Sequence, residues 1–159
     1  MWETASYVVT VIGLPMAIAF YILDRFKQRA QEEEETYLHL SDEYVAFLKL
    51  ALDNADLRLL DPDPTPGLDA EQRMRKFALL GILISLFERA YILTYRDGMR
   101  GGELRRWRSW EDWMVEWCRR EDFRLAMAVH LPGEDPEFIA YLQKLAAENP
   151  GPPKIGPST

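Results

Sequence analysis

Glu88 is the most chemically distinctive residue in this sequence, because it interrupts a strongly apolar segment. A three-to-four-residue spacing, typical of one helical face, joins it to Met74, Phe77, Gly81, Ile84, Tyr91 and Tyr95. A charged carboxylate in such a row is costly unless it has a partner or takes up a proton. We expect an arginine or a tryptophan indole N–H from the later Trp-rich helix as that partner. Two interpretations stay open, a structural bond that fixes helix register and a carboxylate that binds a ligand.

A second cluster combines tryptophan and arginine side chains between positions 96 and 117. Helical spacing brings four large apolar side chains near one face, Trp107, Trp110, Met114 and Trp117, with Trp113 alongside. Core packing explains most of them, whereas an exposed Trp/Arg edge would suit the bilayer interface or a partner helix. Recognition of a phosphorylated small molecule by the arginines is a third interpretation. Together the two clusters nominate the candidate ligand or interface residues, which are Glu88, Tyr91, Arg96, Arg100, Arg105, Arg106, Trp107, Arg108 and Trp110.

The sequence offers little for catalysis or metal binding. Glu35, His39 and Glu43 share one helical face, but three ligands on one helix rarely close a coordination shell. Neither histidine follows a Glu-x-x-His pattern, and there is no phosphate-binding glycine loop or nucleophile elbow. Cys118 has no histidine near it in sequence, which favours a structural thiol. We therefore predict no catalytic residue, no metal site and no cofactor, and a protein that is not an enzyme.

The longest uncharged run, Ala5–Leu23, is the segment that would hold these clusters at a membrane. Its 19 residues span about 28 Å as a helix, close to the hydrocarbon thickness of a bilayer. A cleaved signal peptide would need a basic stretch before the run and a small-residue cleavage motif after it, and the sequence has neither. A buried helix of a soluble protein is the remaining alternative. We predict a transmembrane anchor over residues 1–23.

The charges that follow the apolar run orient this anchor. Arg25, Lys27 and Arg29 come directly after it, and positively charged loops stay on the cytoplasmic side. The N-terminus should therefore face outward and the rest of the chain the cytosol. The net charge is −7, and residues 30–72 carry twelve acidic against two basic side chains, which argues against nucleic-acid binding. The expected partners are the lipid bilayer and a second protein or a second copy of the chain.

The chain beyond the anchor has the pattern of helices and turns, without strands. Residues 24–36 are charged and lack a helix breaker, so they form a helical linker. An amphipathic helix continues from Tyr37 to about Asn54 or Leu60. Three prolines then exclude helix between positions 61 and 67.

A capping-box pattern of Asp69 with Gln72 opens the next helix, which runs to about position 96. Its centre is apolar on all sides, which predicts the central helix of the domain. A second membrane span over residues 77–95 is the competing interpretation. Glu88 and Arg89 would be costly inside that span, so we favour a helix of the cytosolic domain.

Three more helices complete the predicted domain. The Trp-rich helix starts at Glu103 or restarts at Ser109, the next one covers Glu121 to His130, and the last begins after Asp135 as N-cap. The fold class is all-α, with an N-terminal transmembrane helix that continues into a cytosolic bundle-like domain of four to five helices. The predicted parts are the anchor 1–23, the linker 24–36, the helical domain 37–148 and a flexible tail 149–159.

Four short motifs in this order resemble a known type of protein. They are Val-Ile-Gly-Leu-Pro-Met-Ala-Ile in the anchor, Tyr44-Val-Ala-Phe-Leu, Phe87-Glu-Arg-Ala-Tyr91 and Trp110-x-x-Trp113. The combination is similar to uncharacterised bacterial single-span membrane proteins that are grouped only as domains of unknown function. This resemblance spans most of residues 5–142. It implies a protein of the bacterial inner membrane with a short anchor and a cytosolic helical domain, and it transfers no catalytic residue.

Two functional hypotheses follow. The first is a membrane-tethered, non-enzymatic module that binds a protein partner or itself, since tethering raises the effective concentration of even a weak interface. The second is a membrane-bound sensor or effector that binds a small charged ligand through Glu88 and the region Arg96–Arg108. A closed core at Glu88 favours the first hypothesis. A solvent-connected pocket that joins Glu88 to Arg96 or Arg105 favours the second.

Overall fold

A computed structural model of the chain describes residues 2–61 and 67–151, and in its first helix the side chains of Met16 and of residues 18 onward. Within these residues the chain is all-helical, as predicted, and no strand occurs. Two short 3-10 helices, Ala55–Leu57 and Leu131–Gly133, accompany the α-helices. The five α-helices are α1 Trp2–Asp53, α2 Ala70–Thr94, α3 Gly101–Cys118, α4 Glu121–His130 and α5 Pro136–Glu148.

The chain divides into two compact units, residues 1–38 and residues 39–159. The first unit is helical and belongs to α1, which runs without interruption through the predicted linker at positions 24–36. Its described apolar side chains are exposed, from Met16 to Phe26. Two side-chain hydrogen bonds span one turn each, from Arg25 Nε to the Tyr21 hydroxyl at 3.2 Å and from Gln28 to Asp24 at 3.3 Å.

Among the described residues, one helix is long and apolar enough to cross a membrane, and it is α2. Half of its most apolar 18-residue window is buried inside the structure, and the core helix of a soluble domain meets the same criterion. This helix lies in the middle of the chain and not at the predicted anchor. The side chains of positions 1–15 and 17 of the predicted anchor are not described. The proline-rich positions 62–66, predicted to be non-helical, and positions 152–159 of the predicted tail lie outside the described residues.

The second unit is built around α2, as its uniformly apolar centre predicted. Asp69 and Gln72 form the capping box, with the Asp69 carboxylate accepting from the Gln72 N–H at 2.8 Å. The helix packs against α3, α4, α5 and the 3-10 turn after α1. The largest fully buried side chains of this core are Trp110, Phe87, Phe123 and Phe138.

Polar contacts join α2 both to α1 and to the turn that follows α1. Arg89 donates to Glu43 at 2.5 Å, and Arg75 donates to Asn54 at 2.9 Å and to Asp56 at 2.6 Å. Glu43 pairs with Arg89, whereas the later Asn54 pairs with the earlier Arg75, so the two paired segments run antiparallel. The amphipathic helix ends at Asp53, next to the first of the two predicted ends.

Of the last three helices, only α5 starts at a residue whose side chain caps the helix. α3 begins at Gly101, which adopts a left-handed φ of +57° that suits glycine. The predicted restart at Ser109 is therefore wrong, because Ser109 lies inside a helix that already formed eight residues earlier. α4 covers Glu121–His130 as predicted. Asp135 caps α5 as predicted, accepting from the N–H groups of Glu137 and Phe138 at 2.9 and 3.0 Å.

Candidate functional site

Glu88 lies half-buried on the side of α2 that faces the segment between α4 and α5. Its Oε1 accepts a hydrogen bond from the backbone N–H of Asp135 at 2.5 Å. The carboxyl of Glu134 lies within hydrogen-bonding reach of it, and the Ser85 hydroxyl donates to Glu134 Oε1 at 2.9 Å. The prediction that Glu88 pairs with an arginine or an indole N–H from the Trp-rich helix is therefore wrong. The face of α2 that carries Glu88 meets the loop before α5.

Two carboxyl groups in contact cannot both carry a full charge without strong repulsion. Burial is the largest influence that raises the pKa of Glu88, and the adjoining Glu134 carboxyl raises it further. The Asp135 N–H acts in the opposite direction, because it stabilises the charged form. The net effect is a raised pKa for Glu88, so this pair retains a proton above the pH at which an ordinary glutamic acid loses it.

Tyr91, one turn further along α2, and Tyr95, the residue that follows the helix, belong to an aromatic cluster. Their rings stack at 4.8 Å between centroids, and both contact Trp107 and Tyr141. The Tyr141 hydroxyl donates to Glu111 at 2.5 Å. Burial raises the pKa of Tyr141, and the Glu111 carboxylate raises it further. Burial likewise raises the pKa values of Tyr91 and Tyr95, so the three phenols stay protonated beyond the pH at which an ordinary tyrosine ionises.

The tryptophans of α3 form the core and do not form an exposed edge. Trp107 and Trp110 are 2% and 0% exposed, so the interpretation that used them as an exposed interface is wrong for these two residues. Trp113 is half-buried and stacks on Tyr44 at 4.3 Å, while the Trp117 N–H donates to the Tyr44 hydroxyl at 3.2 Å. Core packing therefore accounts for this cluster. Among the described residues the buried Trp110 N–H has no hydrogen-bond partner.

The arginines of the candidate set are mostly exposed and have other environments than Glu88. Arg96, Arg100, Arg105 and Arg108 are exposed and Arg106 is half-buried. Arg96 donates to the carbonyl oxygens of Ile92 and Tyr95, at 3.2 and 2.6 Å, and so satisfies acceptors at the C-terminal end of α2. The charges with the largest effect on Glu88 are the carboxylates of Glu134 and Asp135. Arg96 lines a cavity at the end of α2, and Glu88 is not among the residues that line it.

A cavity of about 340 Å³ lies where the C-terminal end of α2 meets the start of α5. Two residues of the candidate set, Tyr91 and Arg96, contribute to its wall. Three carboxylates and one guanidinium line it, which gives it a negative balance. Its complete lining is Tyr91, Ile92, Tyr95, Arg96, Asp97, Asp135 and Glu137.

Two polar contacts between α2 and α4 were not predicted from the sequence. Lys76 is 6% exposed and its Nζ lies 2.8 Å from Asp122, which also accepts two hydrogen bonds from Arg120. Burial opposes these partners, but their bonds outweigh it and lower the pKa of Asp122. His130 Nε2 contacts the Phe77 carbonyl at 3.2 Å, and the His130 ring lies over Gly81. Helical spacing from Lys76 to Leu80 and Leu83 was the available signal that Lys76 faces the core.

The other sequence candidates have ordinary structural roles. His39 Nε2 lies 3.3 Å from Glu43, which also binds Arg89. In the part of the chain that the structure describes, no group of three or more histidine, cysteine, aspartate or glutamate side chains is arranged to hold a metal. Cys118 is fully buried, and burial raises the pKa of its thiol to about 12. A thiol in that state is a poor nucleophile.

No protein-family model, curated protein or solved structure matches this chain. The fold and the contacts described above define an all-helical protein with an aromatic core. The resemblance to bacterial single-span membrane proteins stays a prediction, and function has to be argued from the residues themselves.

Proposed function

We propose that this protein is a membrane-tethered, non-enzymatic helical interaction module that acts at the cytosolic face of the bacterial inner membrane. Residues 1–23 anchor it with the N-terminus outside, and the helical domain binds a protein partner or a second copy of the chain. The bilayer is its first partner.

The observation that carries this proposal is the exposed apolar run of α1. Seven large side chains are at least 46% exposed over eleven positions, and removing such surface from water is favourable by roughly 25 cal/mol per Å². Six of them lie within the uncharged sequence Ala5–Leu23, and the seventh follows it. The seven are Met16, Ile18, Phe20, Tyr21, Ile22, Leu23 and Phe26.

The end of this run has the chemistry of a membrane–water boundary. The Arg25 guanidinium lies 5.6 Å from the centre of the Tyr21 ring and its Nε donates to the Tyr21 hydroxyl. An amphipathic aromatic ring and an arginine that reaches back along the helix are typical of interfacial anchors. Lys27 and Arg29 follow and supply the positive charge of a cytoplasmic flank.

The helical domain supports an interaction role more than a catalytic one. Its aromatic side chains pack against one another in the core. Of its paired carboxyls, Glu88 accepts from a backbone N–H and Glu134 accepts from a serine hydroxyl. The exposed charges of α3, Arg105 and Arg108, remain available to a partner. Charged rim residues of this kind guide association more than they add affinity.

Vesicle flotation tests the anchor. The full chain should float with phospholipid vesicles, and a variant with Ile22→Asp and Leu23→Asp should float less. The matched control places the same two charges at Gln28 and Gln31, which are exposed polar positions of the same helix, and it should float like the parent chain. A full chain that stays soluble without detergent and does not float would refute the proposal.

Light scattering then distinguishes the two kinds of partner. The detergent-solubilised full chain is compared with a shorter chain that starts at Gln31. A defined oligomer that becomes a monomer on shortening indicates self-association through the anchor. If both chains are monomers, the domain binds a different protein. Co-purification would then search for that protein, with the Arg105→Glu and Arg108→Glu variants as controls.

The cavity at the end of α2 favours a second candidate function, a membrane-bound sensor of a small charged ligand. Asp97, Asp135 and Glu137 outnumber Arg96 in its lining, so it suits a cationic ligand better than a phosphorylated one. Calorimetric titration of the full chain with a small diamine, and with inorganic phosphate for comparison, tests this alternative. Heat with neither probe, or only with phosphate, contradicts a cation sensor.

A further inference from the structure

The contact between Glu88 and Glu134 joins two parts of the second unit that are far apart in sequence. Glu88 belongs to α2, and Glu134 lies in the four-residue connection between His130 and Asp135. The Asp135 N–H donates to Glu88, and the Ser85 hydroxyl donates to Glu134. Both bonds cross from α2 to this connection, and the segment they hold leads directly into the first turn of α5.

We propose that Glu88 and Glu134 form a proton-controlled clasp that fastens the segment before α5 to α2. With one proton between them, one carboxyl donates a hydrogen bond to the other and the clasp is closed. When the proton leaves, two carboxylates face each other and the segment, together with the first turn of α5, is released. The inference does not depend on the membrane anchor or on any partner.

The surrounding charges fit a clasp that opens as the pH rises. The charges with the largest effect on Glu88 are the carboxylates of Glu134 and Asp135, and both are negative. The Asp135 carboxylate is occupied by the cap of α5. Basic side chains of the neighbouring elements have other partners. Arg89 of α2 binds Glu43 of α1, and His130 of α4 contacts the Phe77 carbonyl. Arg96, which lines the cavity beside Asp135, donates to the Ile92 and Tyr95 carbonyl oxygens.

The direction of the effect follows from linkage. A glutamic acid whose pKa is higher in the closed state than in the open state stabilises the closed state fully below its ordinary pKa. That stabilisation is lost as the pH rises through the raised pKa. The opening constant should therefore increase by up to about tenfold per pH unit above 4.5, and become constant above the raised pKa.

Hydrogen–deuterium exchange of the full chain, corrected for intrinsic exchange rates, tests the clasp between pH 5 and pH 8. Protection of the backbone amides of residues 134, 135 and 137–139 should fall with rising pH, while amides of residues 44–50 in α1 keep theirs; Pro136 has no amide hydrogen. In the Glu88→Gln variant the amide side chain can donate to Glu134 and accept from the Asp135 N–H at every pH. Its protection should therefore be high and independent of pH.

Glu137→Gln is the matched control, because it removes a carboxylate from the same helix start without touching the pair. It should keep the pH dependence of the parent chain. Three results would overturn the proposal: protection of residues 134–139 that does not change with pH in the parent chain, a Glu88→Gln variant that changes as the parent does, or a loss of protection that includes α1 to the same extent.

Discussion

Because α4 approaches α2 closely at Gly81, the sign of the stability change caused by a substitution there can be predicted. A Cβ built at Gly81 would lie 2.8 Å from His130 Cε1 and 3.0 and 3.1 Å from its two ring nitrogens. The ring cannot move freely, because Nε2 contacts the Phe77 carbonyl and the ring packs at 4.8 Å from that of Phe77. Gly81→Ala should therefore displace a held side chain.

The expected magnitude combines two opposed effects. Alanine stabilises the interior of a helix by about 1 kcal/mol relative to glycine. Overpacking costs about 1–3 kcal/mol, and displacing the ring also removes a hydrogen bond worth about 1 kcal/mol. Gly81→Ala should therefore destabilise the domain by about 1–3 kcal/mol. Once His130→Ala has removed the ring, the same substitution should stabilise it by about 1 kcal/mol.

Urea unfolding of the full chain in a mild detergent, followed by tryptophan fluorescence, measures both values and their difference. Gly102→Ala is the matched control, since its Cβ would make only an ordinary contact of 3.7 Å with Arg106. Because Gly102 lies in the first turn of α3, the alanine should leave the free energy of unfolding unchanged or raise it by up to about 1 kcal/mol. A stabilising Gly81→Ala in the chain that retains His130 would refute the proposed contact.

Three further substitutions or reactions probe the remaining contacts. Arg124→Ala removes hydrogen bonds to the carbonyl oxygens of Cys118, Ala146 and Asn149 and should lower the free energy of unfolding by about 2 kcal/mol in the same urea assay, where no change would exclude this capping role. Asp69→Ala removes the α2 cap and should cost about 1 kcal/mol, measured in the same way, and a neutral result would count against the capping box. The Cys118 thiol, with a pKa of about 12, should resist a thiol-specific disulfide reagent at pH 8 until urea unfolds the chain, so immediate reaction of the native protein would contradict its burial.

Local chemistry made the helices of this protein predictable. The capping box at Asp69 and the Asp135–Pro136 start depend on groups within three residues of each other, so the sequence alone reveals them. The start of α3 was harder, because Ser109-Trp-Glu-Asp112 has the form of a cap although Ser109 lies inside the helix. Tertiary burial of Trp107 and Trp110 on one face stabilises the longer helix over the local cap.

The candidate site was predictable only in part. Periodicity identified Glu88 as a residue that needs a partner or a proton, and the structure supplies Glu134 for it. Periodicity could not identify that partner, since Glu134 lies 46 positions away in a segment without a regular pattern. It also could not distinguish buried from exposed tryptophans, because packing of α3 against α2 and α5 decides which side of the helix is covered.

The sequence by itself determined the all-helical class, the main helix boundaries, the uncharged run of Ala5–Leu23 and the presence of an acid in the core row of α2. These properties depend on composition and on spacings within a few turns. Only the tertiary structure decided that Glu88 meets Glu134 and the Asp135 N–H, that His130 covers Gly81 and that the tryptophans of α3 fill the core. Such pairings depend on how helices pack across long stretches of chain, and a helical pattern carries the direction of a face but not the identity of what lies against it.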